Sequence, residues 1–531
     1  MPQFELNTID FIIVVVYAVA LIIFALRYSK TQGSAEEYFL GGRRFTWSLV
    51  GLSLFASNMS SSSLIGLSGA AYSTGISVYN YEWMAAVVLI FFAIFFLPYY
   101  LKSQVYTMPE FLEKRFDARS RYYFSGLTLI ATIIIDTAGS LYAGALVIQL
   151  LFPQVEMWVA VAILAILSGS YTIAGGLAAV VFTDAVQAIL LTVASIIVAI
   201  LSFIAIGGSW EAVTSVTSPD MLGIIMPLND SFLPWPGLLI GVPILGFYFW
   251  CTNQFMVQRV LGAKDVNNGR WGVLLAAAMK LPIIFIMILP GTFARVLYPE
   301  LENPDMVFPT LMFDLLPVGV VGLVAAGLLA AIRSSIDSTL NSASTLVTMD
   351  FFIKIKPNAS QQTLTWAGRT FTFIFMILAA AWAPQIQNFP SLFSYLQNIL
   401  AFISPPIVAL FLTGLFWRRA NGQGAFAAII VGGIIAVFGI ASTITGADNI
   451  FTQIHFLYIA GITLAISILI VISVSLLTTP PDNEKVESYI WTKKMYNAET
   501  EELKSMPWYQ NYRILSLIIL AVMVLIIGIF W

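Results

Sequence analysis

The sequence predicts an all-α polytopic membrane protein. Three observations carry that expectation: too little charge for a water-facing surface, repeated apolar runs of bilayer length, and basic residues confined to alternate loops. Of 531 residues, 59% are hydrophobic and 10% charged, whereas soluble chains carry about 25% charged residues. The runs 11–26, 85–97, 185–205, 457–477 and 514–531 contain no Asp, Glu, Lys or Arg. A membrane helix needs roughly 20 apolar residues at 1.5 Å rise each, and the chain offers about that length repeatedly.

About fourteen transmembrane helices are expected, at 8–28, 47–73, 78–100, 123–151, 155–174, 178–206, 236–261, 271–297, 316–350, 364–384, 392–417, 423–443, 454–477 and 510–531. The distribution of positive charge tests this division, because inner loops concentrate Lys and Arg. With the N-terminus outside, the inner side holds Arg27, Lys30, Arg43 and Arg44, then Lys102, Lys114, Arg115, Arg119 and Arg121. Arg259, Lys264 and Arg270 follow, then Lys354, Lys356 and Arg369, then Arg418 and Arg419. The last group is Lys485, Lys493, Lys494, Lys504 and Arg513. Of 25 basic residues, all but Lys280, Arg295 and Arg333 fall inside. Both termini are therefore expected outside, in the cell (inner) membrane.

Composition also excludes functions. A net charge of −3 gives no footprint for nucleic acid. A lone cysteine, Cys251, forbids an intramolecular disulfide, and a lone histidine, His455, builds no His-rich metal site. Nothing surrounds His455 to form a nucleophile–base pair, so an enzyme is not expected. The first ten residues lack the basic group of a secretory signal, so the first run is expected to be a retained span. The segment 479–512 mixes both charge signs and suits a cytoplasmic connector.

Two spans carry breaks. The second is interrupted by Ala56-Ser57-Asn58-Met59-Ser60-Ser61-Ser62-Ser63, a polar cluster that mid-membrane depth disfavours unless it faces a cavity or another helix. The seventh, five spans later, carries Pro236, Gly237, Gly241, Pro243 and Gly246. Either break alone suits a packing kink. Together, in corresponding positions, they suggest an inverted repeat around a midplane binding site.

Six ionisable residues fall well inside spans: Glu82, Asp136, Asp184, Lys280, Arg333 and Asp337. In the ninth span Ala331, Ser334, Ser335 and Ser338 lie three or four apart and share one helix face. Hydroxyls there, with carbonyls freed where another helix unwinds, would form an oxygen cage for a hard cation such as sodium. Serine-mediated helix packing explains the same spacing, and on periodicity alone it ranks first. Arg333 and Asp337 are four apart and can neutralise each other. Asp184 would add a second cation site if it approached Asp337 and Ser338. Glu82 and Lys280, with Gln397 and Trp250, offer donors, acceptors and an aromatic plate for a polyhydroxyl solute. A structural Glu82–Lys280 ion pair is an equal alternative.

Several short segments, in order, resemble the sodium:solute symporter family, and within it the sodium/glucose and galactose cotransporter branch. They are Glu36-Glu37-Tyr38-Phe39-Leu40-Gly41-Gly42-Arg43, Tyr81-Glu82-Trp83, and Tyr106-Thr107-Met108-Pro109-Glu110-Phe111. Gly175-Gly176 with Phe182-Thr183-Asp184, Asn341-Ser342-Ala343-Ser344-Thr345, and Gly414-Leu415-Phe416-Trp417 complete the set. The resemblance implies a LeuT-like core of two inverted five-helix repeats. An extra helix and cytoplasmic loop (1–46) would precede the first repeat (47–206); the second repeat with its outer loop (207–417) and extra C-terminal helices (418–531) would follow. It implies a common sodium site from the carbonyls of Ala56, Met59 and Ala331 with the hydroxyls of Ser334 and Ser335. A second sodium would fall among Asp184, Asp337 and Ser338.

The resemblance further implies that Glu82, Lys280 and Gln397 hold a sugar, with Trp250 beside them and Asn58, Ser63 and Tyr81 at the same site. Phe249 takes the place of an inner tyrosine gate, and Gly246, Ala85 and Ser63 replace polar sugar contacts. Asp136 has no counterpart acid in the sugar carriers; it would suit a solute with an amine. The expected activity is sodium-coupled symport of a small polar solute, a sugar or polyol, by alternating access, with sodium as coupling ion and no organic cofactor. An amino sugar, sugar acid or other organic solute is the alternative cargo. A channel on the same fold would need a filter or charge ring, and a sensor an appended domain; neither is visible.

Overall fold

A computed structural model describes residues 7–29, 35–59, 61–389 and 392–531. Among these residues the structure is helical throughout, and its only β pairings are isolated bridges. We number the principal helices α1 (Thr8–Ser29), α2 (Trp47–Asn58), α3 (Ser61–Thr74), α4 (Ile76–Ser103), α5 (Ala118–Gln149), α6 (Met157–Ala205), α7 (Trp235–Thr252), α8 (Gln254–Leu261), α9 (Val266–Lys280) and α10 (Ile284–Leu297). The chain continues through α11 (Val320–Ile355), α12 (Gln361–Asn388), α13 (Leu392–Phe416), α14 (Gly422–Thr445), α15 (Phe456–Leu477) and α16 (Tyr512–Ile529). Ten helices among the described residues are long and apolar enough to cross a bilayer, or eleven if α9 and α10 form one span bent by 42°. The bend falls at Pro282, whose ring cannot continue the helical hydrogen-bond ladder.

The second span is broken, as its serine cluster predicts. Helix α2 ends at Asn58, and Met59 leaves the helical region with ψ 49°. Helix resumes at Ser61; Ser60 and the side chains of Ser61 and Ser62 lie outside the described residues. The Ser63 hydroxyl donates back across the gap to the Asn58 carbonyl.

The seventh span breaks elsewhere than expected. Helix α7 runs through Pro243, and Pro236 sits in its first turn, where a missing N–H is harmless. The interruption comes at Asn253, extended at φ −66°, ψ 127°, between α7 and α8. The glycines serve close packing instead: a Cβ on Gly241 would lie 2.7 Å from the Leu457 carbonyl oxygen of α15. The two spans expected at 155–174 and 178–206 form one helical run of 49 residues. At 1.5 Å per residue that is ~73 Å, over twice a ~30 Å hydrocarbon core.

Guanidinium groups fasten the loops at one end of the bundle. Arg43 donates to the carbonyls of Leu261 (3.2 Å), Gln104 (3.1 Å) and Val105 (3.2 Å), and its Nε pairs with Glu36 at 3.0 Å. The short helix Met108–Arg115 starts on a Thr107 cap whose hydroxyl accepts from the Glu110 N–H. At its far end, Arg115 donates to the carbonyls of Gly414 (2.7 Å), Ala420 (3.0 Å) and Trp417 (3.1 Å), in the last turn of α13 and just past it. Asp350, fully buried near the end of α11, accepts from Arg121 at 2.7 Å and from Thr107 at 2.8 Å.

His455 caps α15: Nδ1 accepts from the Leu457 N–H at 3.3 Å, so Nε2 carries the hydrogen and donates to the Phe232 carbonyl at 3.2 Å. Burial holds its pKa below the usual 6.5, although the Phe232 and Ser231 carbonyls and Asp230 oppose the shift. The unfolded chain therefore takes up this proton more readily than the folded one. His455 contributes stability that is full above about pH 6.5 and is lost as pH falls below it. Thermal unfolding in detergent is expected to show a constant midpoint above pH ~7 and a decline below ~6.5, with the decline reduced in His455→Asn.

Candidate functional site

The breaks at Met59 and Asn253 and the bend after Lys280 all fall around one cavity of about 130 Å³. Ser57 and Asn58 of α2, Ser63 of α3, Tyr81 and Glu82 of α4, and Asp136 of α5 line it. Phe249 and Trp250 of α7, Ser335 and Thr339 of α11, and Gln397 of α13 complete the wall. Two lining groups sit on π-helical turns, Thr132–Thr137 and Tyr248–Thr252. Such wide turns displace side chains from the regular helical register and recur at binding sites.

Lys280 lies behind this wall. Its Nζ is 2.5 Å from Glu82 Oε2 and 5.2 Å from the Trp250 ring centroid. Lys280 is 1% exposed, so the ammonium depends on the carboxylate and the ring face for stabilisation. Phe249 meets Trp250 edge-on at 5.2 Å and Phe255 at 5.6 Å, making an aromatic plate. Tyr81 and Phe393 pack edge-to-face at 5.1 Å. Beyond them, Phe393 and Gln397 also border a second recess with Asp230, Phe232 and His455. Every residue anticipated for the solute is at this cavity or, for Lys280, one contact behind it.

The serine face of α11 divides into two environments. The Ser335 hydroxyl donates to the Ala331 carbonyl at 3.0 Å and borders the cavity. Ser334 donates instead to Asp184. That carboxylate also accepts from Ser53 (2.7 Å) and Ser57 (3.4 Å) of α2, so one buried acid ties the broken helix to the serine face. Ala56, Met59 and Ala331 are all buried nearby in sequence on the same two helices. All of these donors are oxygens. Among the described residues no group of three His, Cys, Asp or Glu gathers to bind a transition metal.

Asp184 and Ser338, expected at a second sodium, share a basic neighbour. Arg259 of α8 pairs with Asp184 at 3.1 Å, donates to Ser53 at 2.8 Å, and donates to Ser338. A fixed guanidinium thus stands among the oxygens assigned to an ion. Asp337 pairs with Arg333 at 3.6 Å. Arg259 was missed because it sits beyond the seventh-span break, where a basic residue reads as an inner-loop charge. Asn253 was missed likewise, although an Asn-Gln pair after an apolar run is a recognisable helix-start signal.

Interrupted helices around a central polar cavity, in a many-helix membrane protein, suit a membrane transporter. The family model described as "Sodium:solute symporter family" matches residues 38–432. Over 95% of its length the chain is 35% identical to sodium/glucose cotransporter 4 of Danio rerio, covering 84% of that protein. It is 33% identical to sodium/myo-inositol cotransporter 2 of Oryctolagus cuniculus, with 92% of this chain and 80% of that one aligned. Its fold matches a solved Na+-coupled sialic acid symporter in a substrate-bound outward-open state, with TM-score 0.76 and 24% identity, over 90% of this chain and 99% of that one. The chain belongs to the sodium:solute symporter family. It is a sodium-coupled transporter, not an enzyme.

Proposed function

We propose that this protein imports a small sugar or polyol together with sodium by alternating access. The observation that carries the reading is the convergence of Glu82, Lys280, Trp250 and Gln397 on one cavity bordered by Ser335. Glu82 and Gln397 offer acceptors and donors to ring hydroxyls, and Trp250 offers a flat face to ring C–H groups. Asn58, Ser63 and Tyr81 add polar contacts, and Phe249 closes the inner side.

In this reading, sodium binds carbonyls of Ala56, Met59 and Ala331 and the hydroxyls of Ser334 and Ser335. It joins α2 to α11, favours the outward-open form and orders the solute site. An ion shifts such an equilibrium only by its differential affinity for the two forms. With Arg259 on Asp184, the arrangement favours one sodium per cycle. Helix α1, the broken α2–α3 span and the Met157 end of α6 each cross as well, which brings the count to fourteen. The repeats are 47–206 and 207–417, both termini lie outside, and the protein resides in the cell (inner) membrane.

Uptake of labelled hexoses and polyols into sealed vesicles, with sodium against potassium, tests this reading. Flux that follows sodium is expected; flux indifferent to the cation overturns it. Ser335→Ala is expected to raise the sodium concentration for half-maximal uptake by about tenfold, the scale of one charge-to-hydroxyl contact. An unchanged sodium curve would count against the ion site.

A further inference from the structure

We infer that Asp136 recognises a positively charged nitrogen on the solute, so that the preferred cargo is an amino sugar rather than its neutral parent. The inference rests on the sugar reading above. Asp136 lies on the π-helical turn of α5 and lines the cavity. Three other acids buried in this part of the bundle have basic partners: Glu82 has Lys280, Asp184 has Arg259 and Asp337 has Arg333. Among the described residues, no Lys or Arg forms an ion pair with Asp136. Its side-chain hydrogen-bond partner is Asn253. Asn253 Oδ1 is taken by the Phe255 N–H at 3.3 Å, which turns the amide nitrogen toward the carboxylate.

The charge balance of the cavity follows. Glu82 and Lys280 cancel, leaving Asp136 as an uncompensated acid in the wall. A charge at mid-membrane depth costs about 2.5–3.5 kcal/mol on insertion scales, and a solute ammonium arriving there supplies the missing counter-charge. Sodium fits this position poorly, since it needs several converging oxygens. Here the adjacent amide presents N–H groups, and the Thr137 hydroxyl is engaged with Thr339 at 2.8 Å. A site built around an ionic contact also rejects the analogue that lacks it.

The test is sodium-driven uptake of 2-amino-2-deoxyglucose and 2-amino-2-deoxygalactose against glucose and galactose, in vesicles holding the full-length protein. The wild type is expected to favour the amino sugars by at least about tenfold. Asp136→Asn should lose that preference and Asp136→Glu should keep most of it. Equal uptake of both classes by the wild type leaves the sugar reading standing and overturns this inference. So does a preference that survives Asp136→Asn, or a variant whose sodium curve moves while its solute preference does not. Sodium-dependent uptake of neither class overturns this inference, and its absence for polyols too overturns the sugar reading. The wild-type ratio needs no variant, so a failure of Asp136→Asn to fold leaves the inference falsifiable.

Discussion

Lys280→Gln is expected to abolish measurable sodium-driven solute uptake and to cost about 3–5 kcal/mol of folded stability, because it strands Glu82 as an unpaired buried charge. Thermal unfolding in detergent reads the stability loss and vesicle uptake reads the transport loss. The double variant Glu82→Gln with Lys280→Gln separates structure from binding. Two neutral amides remove the uncompensated charge, so stability is expected to recover most of the way. Uptake is not, because the ionic contacts offered to the solute are gone. A double variant that regains transport along with stability would reduce the pair to a structural ion pair.

The second large effect is expected at Arg259. Arg259→Gln leaves Asp184 bonded to Ser53, Ser57 and Ser334 without its guanidinium, again a loss of about 3–5 kcal/mol. The residual set is all oxygen and carries one negative charge, which suits a hard cation. The variant's unfolding temperature is therefore expected to rise more steeply with sodium chloride than the wild type's, while choline chloride at equal ionic strength has no such effect. A ligand that binds only the folded state stabilises it as the logarithm of its concentration. Equal sodium responses in the two proteins would show that Arg259 is not standing where an ion can bind.

These two residues mark how far the sequence could be read. The broken second span was legible because Ser57 to Ser63 form a polar cluster inside an apolar run, and the bilayer penalises that pattern unless it serves a site. Glu82, Lys280 and Asp136 were legible for the same reason: ionisable groups are rare at membrane depth, and the fold brings these to one cavity or, for Lys280, one contact behind it. The seventh-span break was misplaced because Pro and Gly have two uses. Pro236 begins a helix, Pro243 is carried within one, and Gly241 makes room for Leu457. The actual interruption, Asn253, announces itself only by a cap. Arg259 was opaque for a different reason. Its charge matches the inner-loop pattern, and nothing local reveals that tertiary folding buries it against an acid 75 positions away.

The Arg115 guanidinium constrains how the bundle opens at its end. Three carbonyls at the end of α13 belong to its hydrogen-bond set, so the short amphipathic segment 108–115 is riveted to the C-terminal third of the chain although it lies in the first quarter. Its neighbours Thr107 and Arg121 are fastened to Asp350 of α11 in the same way. A conformational probe attached within this segment would thus report the travel of α11 and α13 as well as that of α4, which it follows in sequence. A gate that parts α11 from α13 at this end must also stretch the segment from Thr107 to Arg121, about fifteen residues.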